Sequence, residues 1–140
     1  MHTLRVLTAG ARRRERRGVW RNFQAAVWAS IAYGGLEAVW RLAHTAEIRE
    51  AYPVYTGRVL LGPAVFTVIQ LALWWTVYRE GNGGARAFAA VMGVVILSFW
   101  VLVPLLLASI GIGHPGAIET TGAAWVGASH LAFAAQGRWR

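Results

Sequence analysis

Four apolar stretches, at 22–43, 59–78, 87–110 and 117–136, make up most of the chain beyond residue 21, and short polar or glycine-rich segments separate them. Each is roughly 20 residues long. At about 1.5 Å of rise per residue, that is enough for a helix to cross a hydrocarbon core of about 30 Å. The pattern predicts an all-α, polytopic membrane protein with four transmembrane helices in a bundle. The segment from His44 to Thr56 holds Glu47, Arg49, Glu50 and Pro53 and reads as an external loop, with Tyr52 and Tyr55 at the interface. The segment from Arg79 to Arg86, REGNGGAR, reads as a glycine-rich turn. A phosphate-cradling loop would need a preceding strand and a following Gly-Lys-Ser/Thr, and neither is present. The run GIGHPG at 111–116 predicts a tight external turn carrying His114.

Two prolines fall inside the apolar stretches. Pro63, near the start of the second, is expected where first-turn N–H groups lack helical partners, whereas Pro104, inside the third, should kink its helix. The fourth stretch is the least hydrophobic and is rich in small residues: Gly122, Ala123, Ala124, Gly127, Ala128 and Ser129. Small residues one turn apart, such as Ala124 and Ala128, let backbones approach closely. This helix is therefore expected to be covered by the other three or by another subunit.

Composition agrees with the pattern. Hydrophobic residues make up 56% of the chain and charged ones only 14%, with a mean hydropathy of +0.43; a soluble domain has roughly a quarter of its residues charged. The chain has no cysteine, which excludes disulfides, thiolate catalysis and Cys-ligated metals. All 14 basic residues are Arg and all 6 acidic ones are Glu. The absence of Lys and Asp removes Schiff-base chemistry and Asp-based ion sites. The Arg, Ala and Gly bias points to a bacterial host.

Charge also predicts orientation. Residues 1–21 carry Arg5, Arg12, Arg13, Arg14, Arg16, Arg17 and Arg21 against Glu15 alone, forming a basic cytoplasmic arm ahead of the transmembrane domain of residues 22–140. Because the arm runs straight into an apolar helix with Trp20 at the interface, it reads as a contact for anionic lipid headgroups rather than a nucleic-acid-binding tail. The apolar stretch after it is longer than the roughly 7–15 residues of a signal-peptide core and no small-residue cleavage site follows, so a cleaved signal is not expected. Arg79, Arg86, Arg138 and Arg140 join the arm on one side of the membrane, against Arg49 and Arg58 on the other. By the positive-inside rule, both termini are cytoplasmic and the protein is a multi-pass component of the inner membrane.

The polar residues within the spans are the candidates for chemistry, since ionisable groups inside a bilayer are costly to maintain. Glu37 and Arg41 share one helical face, one turn apart, and can pair. Gln70 lies in the apolar middle of the second span and needs a partner. Glu119 starts on the same external side as Glu37 and Arg41, and His130 lies nearer the cytoplasmic half. The Glu37–Arg41 pair has two readings of equal weight: an ion pair that fixes register or an oligomer contact, and a ligand, proton or substrate site.

No metal or cofactor is expected. His2, His44, His114 and His130 show no i, i+3 or i, i+4 spacing, and only His130 lies well inside a span, which leaves a bis-histidine haem without its second ligand. Ser129 and His130 are adjacent on a helix and point in different directions, so they form no catalytic dyad. Trp74 and Trp75 read as an interfacial belt.

The segment from Ile31 onward, with Glu37 in IAYGGLEAVWR and the later LALWWTVYREGNGG, resembles the small membrane-bound terpene cyclases of meroterpenoid and indole-terpenoid pathways over about 100 residues. In that family the membrane-helix Glu sits in an Asn-x-x-Trp-Glu pattern; Tyr33 and Leu36 occupy the Asn and Trp positions here, and the family's second acid, an Asp, has no counterpart. The resemblance implies that Glu37 acts as a general acid on a polyprenyl substrate, with Trp28, Trp40, Trp100 and Trp125 offering aromatic faces to the cation. Helix packing and interface anchoring are the other reading of those tryptophans. The expectation is thus a small membrane bundle that binds a hydrophobic lipid or isoprenoid, with Glu37 as catalytic candidate and Arg41, Gln70, Trp100, Trp125 and His130 as substrate-binding candidates. The chain is expected to act as a homo-oligomer or as a subunit of a membrane complex; the alternative function is a non-catalytic accessory subunit of a larger membrane complex, and, third, a transporter or channel protomer.

Overall fold

The computed structural model describes the backbone of residues 2–54, 56–80 and 83–136, and every regular element among them is helical. Helix α1 (His2–Ala43) runs for 42 residues, so the basic arm and the first apolar stretch are one rod. At about 1.5 Å per residue it is about 63 Å long, roughly twice the thickness of a hydrocarbon core. Arg14, Arg16, Arg17 and Arg21 are exposed along it.

The expected loop after α1 contains a short helix, α2 (Thr45–Ala51). The Ile48 N–H donates to His44 O at 3.1 Å and the Tyr52 N–H to Ile48 O at 2.8 Å, and the Ile48 side chain is buried. A single apolar anchor in an otherwise polar segment is enough to lay this turn of helix against its neighbours.

Helix α3 (Thr56–Glu80) begins earlier than the apolar pattern suggests, which places Pro63 inside the helix rather than in its first turn. Helix α4 (Gly83–Leu97), a π-helical turn (Ser98–Leu102) and helix α5 (Val103–Ser109) form a continuous third rod. Pro104 explains the π turn. It has no N–H for the Trp100 carbonyl and its ring crowds the preceding turn, and one widened turn relieves both. Gly111 and Gly113, at φ +80° and +73°, then reverse the chain in a conformation that other residues rarely adopt. Helix α6 (Ala117–Ala135) completes the fold.

The long helices form a ring in which α1 packs on α3 and α6, α4 lies most extensively against α6, and α3 meets α4. Two glycine contacts set the spacing. A Cβ on Gly127 would fall 2.6 Å from Leu97 Cγ and 3.2 Å from Gly93 O, and one on Gly93 would meet Leu131 at 2.8 Å, so α4 and α6 pack backbone to backbone. The small-residue face of α6 is therefore used within the chain and centres on Gly127, whereas Gly122 and Ala128 are exposed.

The core lies at one end of the ring. Phe23, Val27, Leu73, Val77, Ala85, Ala89, Met92, Ile96 and Phe133 are buried together, with Trp20 and Trp74 packed beside them. Trp74 stacks on Trp20 at 6.2 Å and packs partly buried against this core, while exposed Trp75 carries the Arg79 guanidinium over its ring. At that end Arg86 ties α4 to α6, donating from Nε and Nη2 to Ala134 O at 3.0 and 2.5 Å. This guanidinium covers a carbonyl that the end of α6 leaves without a helical donor.

The other end, from His44 and Thr56 to Gly111 and Ala117, is open. Leu36, Val39, Leu61, Phe99, Leu106 and Ile110 are all exposed there. Two rods, Thr56–Arg79 and Gly84–Ser109, are long and apolar enough to cross a membrane, and only 17% of each apolar window is buried within the chain. Both present apolar side chains outward, whereas the core helix of a soluble protein hides them. Hydroxyls behave accordingly: Ser30, Thr67, Thr76 and Thr121 each donate to the carbonyl four residues back, at 2.6 to 2.8 Å.

Candidate functional site

The polar candidates separate into two places. At the open end, Glu37 and Arg41 form the ion pair that their spacing predicts, through Arg41 Nη2 and Glu37 Oε1. Arg41 also reaches across to α3, where Nη1 donates to Val59 O at 2.5 Å. The reason lies four residues on, at Pro63, which cannot supply the N–H that Val59 O would accept in an uninterrupted helix. Arg41 takes the place of that missing donor. Close approach of the helices makes this possible, since a Cβ at Gly34 would overlap Thr67 Oγ1 and lie 3.5 Å from Pro63 O. Thr67 Oγ1 in turn donates to Pro63 O at 2.8 Å. Glu119, in the first turn of α6, lies at this same end of the bundle.

Beside the ion pair is a groove of about 550 Å³, lined by Trp40, Arg41, Glu47, Ile48, Ala51, Tyr52 and Val59. Helix α2 makes one wall of it, so the segment expected to be a loop contributes four of the lining residues. The His44 ring stacks on Trp40 at 4.4 Å, and its Nδ1 lies 2.8 Å from Trp40 O. A groove of this size falls in the range of small-molecule sites, roughly 300–1,000 Å³.

The second place is inside the bundle. Gln70 on α3 and His130 on α6 are fully buried, with Gln70 Oε1 3.2 Å from His130 Nε2. Phe23 sets its ring edge-on to the imidazole at 5.2 Å. His130 Nδ1 lies 2.8 Å from Val126 O, which can only accept, so Nδ1 carries the proton. A neutral ring then offers the lone pair of Nε2, which the carboxamide satisfies by turning its N–H toward it; with Oε1 facing the ring, the contact requires a second proton on the imidazole. Gln70 Nε2 is buried without a hydrogen-bond partner. The partner that Gln70 requires is thus His130, and the pair links α3 to α6 away from Glu37 and Arg41.

Neither tryptophan candidate lines the groove beside Arg41. Trp100, in the π turn, packs on Phe66 at 5.2 Å, and Trp125 lines a shallow apolar groove with Ala117, Ile118, Thr121 and Gly122. The substrate set expected from sequence is therefore not one site. Arg41 belongs to the open-end groove, Gln70 and His130 to the core, and Trp100 and Trp125 to outward surfaces. The groove residues that sequence reading missed are Trp40, Glu47 and Tyr52 as a set. Among the described residues, no cluster of His, Cys, Asp or Glu could hold a metal ion. Comparison with protein-family models, with curated proteins and with solved structures gives no match to this chain.

Proposed function

We propose that the chain is a four-span protein of the cell inner membrane, with both termini cytoplasmic, that binds an amphiphilic lipid or isoprenoid in the groove beside Arg41. The groove itself carries this reading: it joins aromatic, charged and aliphatic walls at the end of the bundle where the apolar helices are least covered by one another. Helix α1 has length to spare for a crossing, and α6, at 19 residues, spans about 28 Å. In this orientation the exposed Arg14, Arg16, Arg17 and Arg21 lie toward the anionic headgroups of the cytoplasmic face.

Binding ranks ahead of catalysis here because Glu37 gives its carboxylate to Arg41, which also completes the backbone hydrogen bonding of α3. The cyclase-like form of the reading, with Glu37 as general acid, requires that carboxyl to serve a substrate instead. Native mass spectrometry of the protein released gently from its host membrane tests the proposal. A chain that retains an apolar small molecule supports it, and the mass identifies the class. A bare chain, or one held only by other polypeptides, contradicts it. If a polyprenyl compound is retained, Glu37→Gln separates binder from enzyme: the cyclase form requires loss of turnover with insertion preserved.

A further inference from the structure

Resting on the reading of this groove as an amphiphile site, we propose that its polar end selects an ammonium headgroup, held between the Glu47 carboxylate and the rings of Trp40 and Tyr52. Two charged side chains line the groove, Arg41 and Glu47. The charge of Arg41 is compensated by Glu37, and its Nη1 is taken by Val59 O. Glu47 makes no hydrogen bond or ion pair among the described residues. The groove therefore presents one uncompensated negative charge, beside two aromatic side chains.

Carboxylate and aromatic faces together are the chemistry that recognises alkylammonium groups, because the ring faces are electron-rich and tolerate a cation too bulky for close hydrogen bonding. Glu50, one helical turn from Glu47 on α2, does not line the groove, and neither do the other cations at this end, Arg49 and Arg58. Ile48, Ala51 and Val59 supply an aliphatic surface for the carbon chain next to the head. An anionic head would instead meet the unpaired Glu47, and a neutral one would leave it without a counter-charge.

The source of the ammonium is either a membrane lipid or a free organic cation, and one titration separates them. The purified full chain in maltoside micelles is titrated calorimetrically with tetramethylammonium, dodecyltrimethylammonium and dodecanol. The expected result is saturable binding of dodecyltrimethylammonium, at least tenfold tighter than that of dodecanol. Affinity should fall at least tenfold in Glu47→Gln and in Trp40→Leu, and stay unchanged in Glu50→Gln, with helicity by circular dichroism equal throughout. If tetramethylammonium also saturates the site, the head alone suffices and a free cation is the natural ligand class. If only the long-chain cation binds, the class is a lipid; either pattern supports the proposal. Equal binding of dodecanol and the long-chain cation, or an unchanged affinity in Glu47→Gln, overturns the ammonium assignment and leaves amphiphile binding standing. Failure of all three probes to bind overturns both.

Discussion

Replacing Arg41 with Met keeps most of the side chain's length and removes its two polar contacts, the pair with Glu37 and the bond to Val59 O. A hydrogen bond to a charged group contributes about 1.5–3 kcal/mol. The ion pair adds up to about 1 kcal/mol, because both side chains keep more than a quarter of their surface exposed. Arg41→Met should therefore cost about 2–4 kcal/mol. The diagnostic comparison is with Pro63→Ala, which gives position 63 an N–H for Val59 O and removes the need for a side-chain donor from α1. In that background Arg41→Met should lose mainly the ion-pair contribution, and the two substitutions should couple by about 1.5–3 kcal/mol, the share of the bond to Val59 O. Unfolding by increasing mole fraction of dodecyl sulfate in mixed micelles, followed by far-UV circular dichroism, gives the four free energies of the cycle. A coupling below about 0.5 kcal/mol, the range of independent sites, would refute the substitution of Arg41 for the missing proline donor.

Other outcomes follow from the packing. Gly127→Leu should destabilise the isolated chain by about 3 kcal/mol or prevent folding, since even a Cβ there meets Leu97 and Gly93 O; an unaltered unfolding curve would return that face to an outside partner. Gln70→Leu and His130→Leu should each cost about 1–3 kcal/mol by orphaning a buried polar group, and the double variant should cost less than their sum. Additive losses in the same unfolding assay would dissolve the pair. The chain has no cysteine, so single-cysteine variants report topology cleanly. Glu47→Cys and His114→Cys should react with an impermeant maleimide on intact cells, and Arg14→Cys only after permeabilisation; the reverse pattern would invert the proposed orientation.

Several of these features are legible in the sequence for local reasons. The Glu37–Arg41 pair follows from spacing on one helix, and the need of Gln70 for a partner follows from its apolar surroundings. What spacing does not supply is the identity of cross-helix partners. That Gln70 meets His130, and that Gly127 faces Gly93, depend on how α3, α4 and α6 lie against one another. Val59 O is intermediate: a proline inside a helix marks the carbonyl four residues earlier as lacking its donor, but which side chain reaches it depends on the crossing of α1 and α3. The helix at Thr45–Ala51 was hidden because a seven-residue polar segment with one buried Ile carries no amphipathic period. With it went the groove, whose Trp40, Glu47 and Tyr52 come together only when α2 folds back beside α1 and α3.

Whether an amphiphile occupies that groove, as proposed, is tested most directly by photolabelling. A diazirine-bearing alkylammonium amphiphile, activated in membranes containing the full chain, should label the segment from Trp40 to Val59 well above the outward-facing segment from Phe99 to Ile110, and excess unlabelled amphiphile should suppress the signal. Labelling spread evenly over the outward-facing helices, and insensitive to competitor, would contradict the account.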